Sequence, residues 1–294
     1  MLKTNLHDFK NNFYISGNFT KCIISYKKNY IKNFTGSIKS NTESIFITFN
    51  SVDSVLSYNS IIRKDPFFKN INGTVELSNL SRPLININNL SFSNKEIKID
   101  FNGFIDFKED SIKIISNIDR LNMQYATDYI PLNFMKEKSS LWFKKAFKSG
   151  KTNNGGILIN GKVSSYPFFN DLSGISFAQF PIKDLNVKYG KGWKQFEKIS
   201  GHAYFNKKSA YFYSEDFQVY DSIVSNTFLE IKNVLDAELY IKGELIGPID
   251  DLFKYSNSGS LTNITSENLS KINGTVKTDF HIKVPFKGKK IKFK

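Results

Sequence analysis

The chain has 294 residues, of which 40% are hydrophobic and 23% charged, so it can form a folded core and is too apolar for general disorder. Its net charge of +14 is compatible with anionic partners but does not distinguish lipid headgroups from nucleic acid. One cysteine and three histidines exclude a disulfide framework and a cysteine-based metal cluster, and they leave little for zinc or general-base chemistry.

The first clear pattern along the chain is an alternation of apolar and polar residues over residues 97–107. Lys98, Asp100 and Asn102 fall on one side of an extended strand, and the other side is apolar. One-sided burial of this kind is typical of antiparallel sheets, because the strands of parallel sheets are covered on both faces. We therefore predict an antiparallel strand whose apolar side consists of Ile97, Ile99, Phe101, Ile105 and Phe107.

One segment near the middle of the chain interrupts this two-residue period. Its lysines, among them Lys144 and Lys148, fall on the side opposite its aromatic residues. With Gly150 as the C-cap, the pattern predicts one short amphipathic helix over about 140–149. We expect the aromatic side to pack on its own domain; the alternative is a helix whose lysines lie on anionic lipid. The packed side would consist of Trp142, Phe143, Ala146 and Phe147.

The alternation returns twice near the C-terminus, again with one apolar and one polar side. Glu238, Lys242 and Glu244 mark the polar side of the first stretch, and Lys277 and His281 that of the second. Both stretches predict antiparallel strands. Their apolar sides contain Leu239, Ile241, Leu245, Val276, Phe280 and Ile282.

A short signature recurs in these strands: an apolar residue stands two positions before a glycine, and an apolar or small residue two positions after it. A glycine at the same pleat position each time indicates a bend, which is how a long sheet curves. The fold class predicted is therefore mainly β: a long, curved, open antiparallel sheet with one short amphipathic helix. The glycines are Gly73, Gly103, Gly161, Gly243 and Gly274.

Catalytic and nucleic-acid-binding patterns are missing from the sequence. Asp250 and Asp251 beside Pro248 are expected to cap a helix-like segment, and His202 and His281 lie in strand patterns. No RNA- or DNA-binding motif is present, and the lysines are spread along the chain instead of forming one stripe. We expect no enzymatic activity, no cofactor, no metal site and no nucleic-acid partner.

From about residue 120 to 286 the order of features resembles a known family. It includes Tyr129-Ile130-Pro131, the predicted helix, a Tyr166-Pro167-Phe168 turn, a Gly192-Trp193 turn and a closing Val284-Pro285-Phe286. This order is similar to the central region of the YhdP family, AsmA-like proteins of Gram-negative bacteria that are related in architecture to TamB. Lys194 stands where the family tends to have proline, a departure confined to a turn.

The pattern along the chain places a domain boundary near residue 117, and the resemblance implies what the two segments are, where they work and what they do. It implies an AsmA-like β-groove segment over residues 1–117 and a YhdP-like central β-groove segment over 118–294. Such proteins form a trough with an apolar concave face, which conducts phospholipid between the inner and outer membranes and maintains the cell envelope. They are longer than this chain and carry an N-terminal membrane anchor. We therefore expect an internal piece or split gene product in the periplasm, associated with the inner membrane through a portion that this chain lacks.

Under this interpretation the partners are phospholipid acyl chains, together with the remainder of a longer AsmA-like chain or other envelope proteins. The apolar side chains of the three alternating stretches would line the groove. A closed β-sandwich that serves as a binding or structural module, without lipid transport, remains the alternative, because the same alternation could form a dry core.

Overall fold

A computed structural model describes residues 14–26, 29–57, 65–129, 137–188, 192, 194–233, 238–256, 273–285 and 292–293. Strands make up most of these residues, which confirms the prediction of a mainly β protein. The strands are β1 (Ser16–Tyr26), β2 (Asn29–Ser40), β3 (Ser44–Ser57), β4 (Phe67–Ser78), β5 (Leu84–Ser93), β6 (Ile97–Asp106), β7 (Ser111–Asn122), β8 (Phe147–Thr152), β9 (Gly155–Lys162), β10 (Ile175–Val187), β11 (Phe196–Asn206), β12 (Ser209–Val219), β13 (Ser222–Ile231), β14 (Glu238–Pro248), β15 (Thr275–Pro285) and β16 (Lys292–Phe293). The α-helices are α1 (Ala126–Tyr129), α2 (Glu137–Ala146) and α3 (Ile249–Ser256).

The chain divides into two compact units. The first unit comprises Met1–Asn59, Lys64–Asn117 and Ile157–Ser176. Its strands β1 to β7 pair in chain order, and β9 also pairs with β7. The registers from β1 to β6 are antiparallel, so successive strands form hairpins or a meander. Among the described strands, β1 has β2 as its only partner, so this sheet has an open edge.

The second unit comprises Ser60–Arg63, Ile118–Gly156 and Phe177–Lys294. The end of β7 pairs with β8, β8 pairs with β10, and the strands from β10 to β16 then follow chain order. These registers are antiparallel as well. Because β16 has β15 as its only partner among the described strands, the predicted open antiparallel sheet is confirmed.

Local bends in the strands come from residues with positive φ. Gly73 and Gly103 have φ of 136° and 141°, and Gly161 and Gly274 resemble them, whereas Gly243 is not in this conformation. Non-glycine residues with positive φ also occur where the register shifts. Asn89, for example, has φ of 49° and lies between Ile87 and Leu90, where the pairing of β5 with β6 is irregular. A bulge of this kind bends its strand and increases its twist. Further strand residues with positive φ are Lys21, Asn33, Asp53, Asp184, Lys198 and Asn226.

The amphipathic helix is present, but its predicted bounds of 140–149 are wrong. Helix α2 ends at Ala146, and Phe147–Thr152 forms strand β8. Phe147 of β8 pairs with Val187 of β10. Gly150 has φ of 112° within this strand and is not a helix cap. The backbone groups of β8 find partners in β10, so strand pairing outweighs the helical pattern.

The two sides of α2 are partly as predicted. Ala146 is fully buried, Trp142 is half-buried, and Lys144 and Lys148 are exposed. Phe147 is half-buried but belongs to β8. The side chain of Phe143 lies outside the described part of the structure.

The loop after β9 is held by one aromatic anchor. Phe168 is fully buried, and a Cβ on either Gly161 or Gly174 would come within 2.9 Å of its ring, so both neighbours must be glycine. Asp171 closes the next turn by accepting hydrogen bonds from the backbone N–H (2.8 Å) and the hydroxyl (2.6 Å) of Ser173. These bonds, with the Ser173 hydroxyl first, lower the pKa of Asp171 to about 2.

Candidate functional site

The predicted apolar residues of β14 and β15 lie on one face of the second unit's sheet. Ile241 is paired with Ile282, and Phe280 is opposite Gly243. Directly opposite residues of antiparallel strands project to the same face, and residues two apart along a strand do so as well. The structure therefore brings together the predicted set Leu239, Ile241, Leu245, Val276, Phe280 and Ile282.

This apolar face continues across four more strands. Leu229 of β13 lies opposite Ile241, and Phe212 of β12 lies opposite Leu229. Ala203 of β11 and then Phe180 of β10 extend the row. The sequence interpretation missed this extension, because aromatic residues occupy both sides of β12 and obscure the alternation. The sequence signal that could have indicated the extension is Leu229, which follows the two-residue period of β13.

In the first unit, the predicted residues of β6 also share a face with their neighbours. Ile99 pairs with Phe92, Phe101 with Leu90, and Ile105 with Ile85. The face extends through β4 and β3, which sequence reasoning did not include; its further members are Ile45, Ile47, Val75, Leu77 and Ile87.

Two of the predicted β6 residues differ from the rest in their surroundings. Ile97 is only 3% exposed and belongs to the packed core, so it offers little surface to a ligand. Phe107 follows the end of β6, lies in a turn and is 49% exposed. The alternation in the sequence continues past the last residue of the strand, which is why Phe107 was included in the prediction. The structure keeps Ile99, Phe101 and Ile105 as face residues of β6.

Most members of the two apolar faces are neither buried nor exposed. Ile85, Ile87, Val75, Ile99 and Ile105 of the first unit are half-buried. The same holds in the second unit for Phe180, Phe212, Leu229, Ile241, Phe280 and Ile282. An inner face of a sandwich is covered by the opposite sheet and packs like a protein interior. In the part of the chain that the structure describes, these side chains lack such complete cover.

Charged groups of the second unit lie on the opposite face of β14 and β15. Lys283 is 2.9 Å from Glu238, and Lys277 is 3.6 Å from Glu244. The Glu238 carboxylate raises the pKa of Lys283, first through its hydrogen bond. Tyr240 stacks in the same region, with the Lys283 Nζ 5.1 Å from its ring centroid. The register separates an uncharged face from a charged one within the same pair of strands.

One end of the apolar face in the second unit is covered by α3. A cluster of Val219, Val224 and Leu245 is buried there, with exposures of 3–7%. Tyr255 of α3 packs against this cluster, which we call the end cluster. Its partly buried members are Phe196, Phe217, Tyr220, Tyr255, Val276 and Phe280.

The described residues contain no group of three or more His, Cys, Asp or Glu side chains that could hold a metal ion. None of the helices among them has the length and apolar character needed to cross a membrane.

The fold and this face define a class: an antiparallel β-protein whose strands present one uncharged, half-exposed apolar face and one polar face. The chain belongs to the YhdP family, since the family's sequence pattern, described as YhdP protein, matches residues 2–294. The AsmA-like identification is thereby confirmed, and the match includes residues 2–119, where the order of motifs is uninformative. No curated protein and no solved structure matches the chain.

Proposed function

We propose that the chain is a non-enzymatic, lipid-conducting groove module of an AsmA-like protein that moves phospholipid between the inner and outer membranes. It would work in the periplasm, joined to the inner membrane through other portions of a longer protein or through envelope partners. The observation that carries the proposal is the uncharged apolar face that passes from strand to strand and remains half-exposed.

Such a face suits an acyl chain in motion. Apolar surface removed from water contributes about 25 cal/mol per Å². Ile241, Leu229 and Phe212 on successive strands offer similar apolar surface, so moving a chain from one strand to the next changes its burial little. Selective small-molecule sites instead have a few converging polar groups that fix one ligand pose. Uniform apolar lining therefore favours conduction over tight, specific binding.

The main alternative is a β-sandwich module that binds or supports other proteins without carrying lipid. Its inner face would be dry, and its large apolar residues would be buried as Val224 and Leu245 of the end cluster are. The half-burial of Ile85, Val75 and Leu229 favours the open groove.

Site-specific photo-crosslinking tests the proposal directly. A photoreactive amino acid at Phe101 or Ile241, in the purified chain mixed with phospholipid vesicles, is expected to capture phospholipid. The matched controls are Lys98 and Lys242, because one step along a strand moves the probe to the opposite face. Equal capture at all four positions, or none at any, would contradict the proposal.

A charge placed on the apolar face distinguishes the open-groove hypothesis from the sandwich hypothesis. In Ile241→Asp, a carboxylate in contact with acyl chain is several kcal/mol unfavourable unless it becomes neutral. In an open groove without lipid, water can solvate that carboxylate, so we expect retained folding and lost lipid capture. Lys242→Asp, on the polar face, should retain both. Unfolding of Ile241→Asp, with no lipid captured by the parent chain, would support the sandwich.

A further inference from the structure

Helix α3 lies over a surface that an acyl chain would use. It follows β14 directly, and its Tyr255 ring lies 5.4 Å from the ring of Phe196 at the start of β11. Beneath it, Leu245 is 7% exposed. Four residues earlier on the same strand and face, Ile241 is half-buried. Leu239, near the other end of the strand, is also 7% exposed, so the cover is defined by the contact of Tyr255 with the cluster that contains Leu245 and not by exposure alone.

A buried carboxylate fastens α3 to the turn between β12 and β13. Asp251 is 1% exposed and accepts hydrogen bonds from the backbone N–H of Asp221 and the hydroxyl of Ser222, both at 2.9 Å. Lys254 Nζ is 3.3 Å from the second carboxylate oxygen. We call these contacts the Asp251 clasp.

The charge state of the clasp follows from its donors. Burial raises the pKa of Asp251, but the bonds from Ser222, the Asp221 backbone and Lys254 together lower it below its ordinary value. The carboxylate is therefore ionised at neutral pH, and its hydrogen bonds are of the stronger, charge-assisted kind. Gly247 leaves the space for Ser222, since a Cβ there would come within 2.1 Å of the Ser222 Oγ.

The cover depends on these contacts because α3 cannot stand alone. The helix has eight residues, and isolated helices of that length are marginal in water. Its position is held by the Asp251 clasp at one side and by the apolar contact of Tyr255 with the end cluster at the other. Loss of either contact leaves α3 less firmly seated.

We propose that α3 is a displaceable cover, which competes with lipid acyl chains for the end cluster and is held shut by the Asp251 clasp. This inference rests on the proposed function. It divides the apolar face of the second unit into a part outside the end cluster, around Ile241 and Ile282, and a guarded part around Leu245 and Val276. Acyl chain and helix cannot occupy the guarded part together, because both would contact the same side chains.

Two probe positions on one strand test the competition. Val276 and Ile282 share a face of β15, and only Val276 belongs to the end cluster. In the native chain with vesicles of phosphatidylethanolamine and phosphatidylglycerol, we expect a photoreactive residue at Ile282 to capture phospholipid and one at Val276 to capture far less. Asp251→Asn should raise capture at Val276 by about tenfold, the order by which loss of a hydrogen bond to a charged group shifts an equilibrium. Capture at Ile282 should not change.

Further variants keep the result interpretable. Tyr255→Ser loosens the other side of α3 and should raise capture at Val276 in the same way, even if Asp251→Asn fails to fold. Asp250→Asn removes an exposed neighbouring carboxylate and should leave both probes at native levels. Equal native capture at both positions, or no response to either loosening variant, overturns the cover but leaves lipid conduction standing. No capture at either position in any variant overturns the proposed function and the cover with it.

Discussion

Replacement of Gly103 by alanine should be among the more destabilising small changes in the first unit. Its φ of 141° lies in a region that side chains rarely adopt, and a Cβ there would come within 1.9 Å of the backbone oxygen of Lys113. Strained backbone costs about 1–3 kcal/mol, and forcing atoms into packed space costs a further 1–3 or so. The sum is a loss of about 2–6 kcal/mol in the free energy of unfolding. Urea denaturation followed by far-UV circular dichroism measures it.

Two other glycines separate the strain from the clash. Gly274 has the same φ of 141°, but a Cβ there would meet nothing within 4 Å, so Gly274→Ala should cost only the strain, about 1–3 kcal/mol. Gly17 has neither the unusual φ nor a neighbour within 4 Å, and Gly17→Ala should change stability by no more than about 1 kcal/mol. The reasoning is refuted if Gly103→Ala costs no more than Gly274→Ala.

Three further outcomes are expected. Phe168→Ala should cost about 3–5 kcal/mol because the ring is fully buried, whereas Phe107→Ala, at a position 49% exposed, should cost far less; equal losses of unfolding free energy would contradict the assigned burial. Lys144→Ala should change the free energy of unfolding by no more than about 0.5 kcal/mol, since this lysine is exposed on α2. A larger loss would indicate that the charge of Lys144 stabilises the helix. The pKa of Asp171 is lowered, so its hydrogen bonds support the loop at neutral pH and are lost as the pH falls from about 4 through about 2; a carboxyl titration by NMR with a midpoint near 3.8 would count against this.

The alternation in the sequence was sufficient to predict the strands and their faces where one side is apolar and the other polar. β14 and β15 are the clearest case, since Ile241 and Ile282 were assigned to one face and the register pairs them. The pattern could not show where a strand ends. Phe107 continues the two-residue period of β6 although it already lies in a turn.

Bends and long-range pairing were harder to predict. In the sequence, Asn89 fits the polar side of an alternating strand. In the structure it adopts φ of 49°, and the register between β5 and β6 shifts there. Asn and Asp tolerate that conformation better than most residues, and composition alone does not show which of them uses it. Gly150 was expected to end a helix but lies in strand β8. That strand pairs with β10, which starts 25 residues after Gly150, so the local sequence does not show the pairing. Asp251 was expected to cap a helix, and its contact with Ser222 depends on a turn 29 residues away.

Pairing in chain order has a consequence for how the first unit acquires its structure. Short connections join β1 to β7 in succession, so each pairing step closes only a short loop, and the entropy cost of bringing distant segments together is avoided. Such a sheet can grow by adding one strand at a time to an edge that already exists, much as repeat proteins propagate from a nucleus. Stability should then be graded along the first unit, with backbone amides of β1 exchanging with solvent before those of β4, and without a single all-or-none opening.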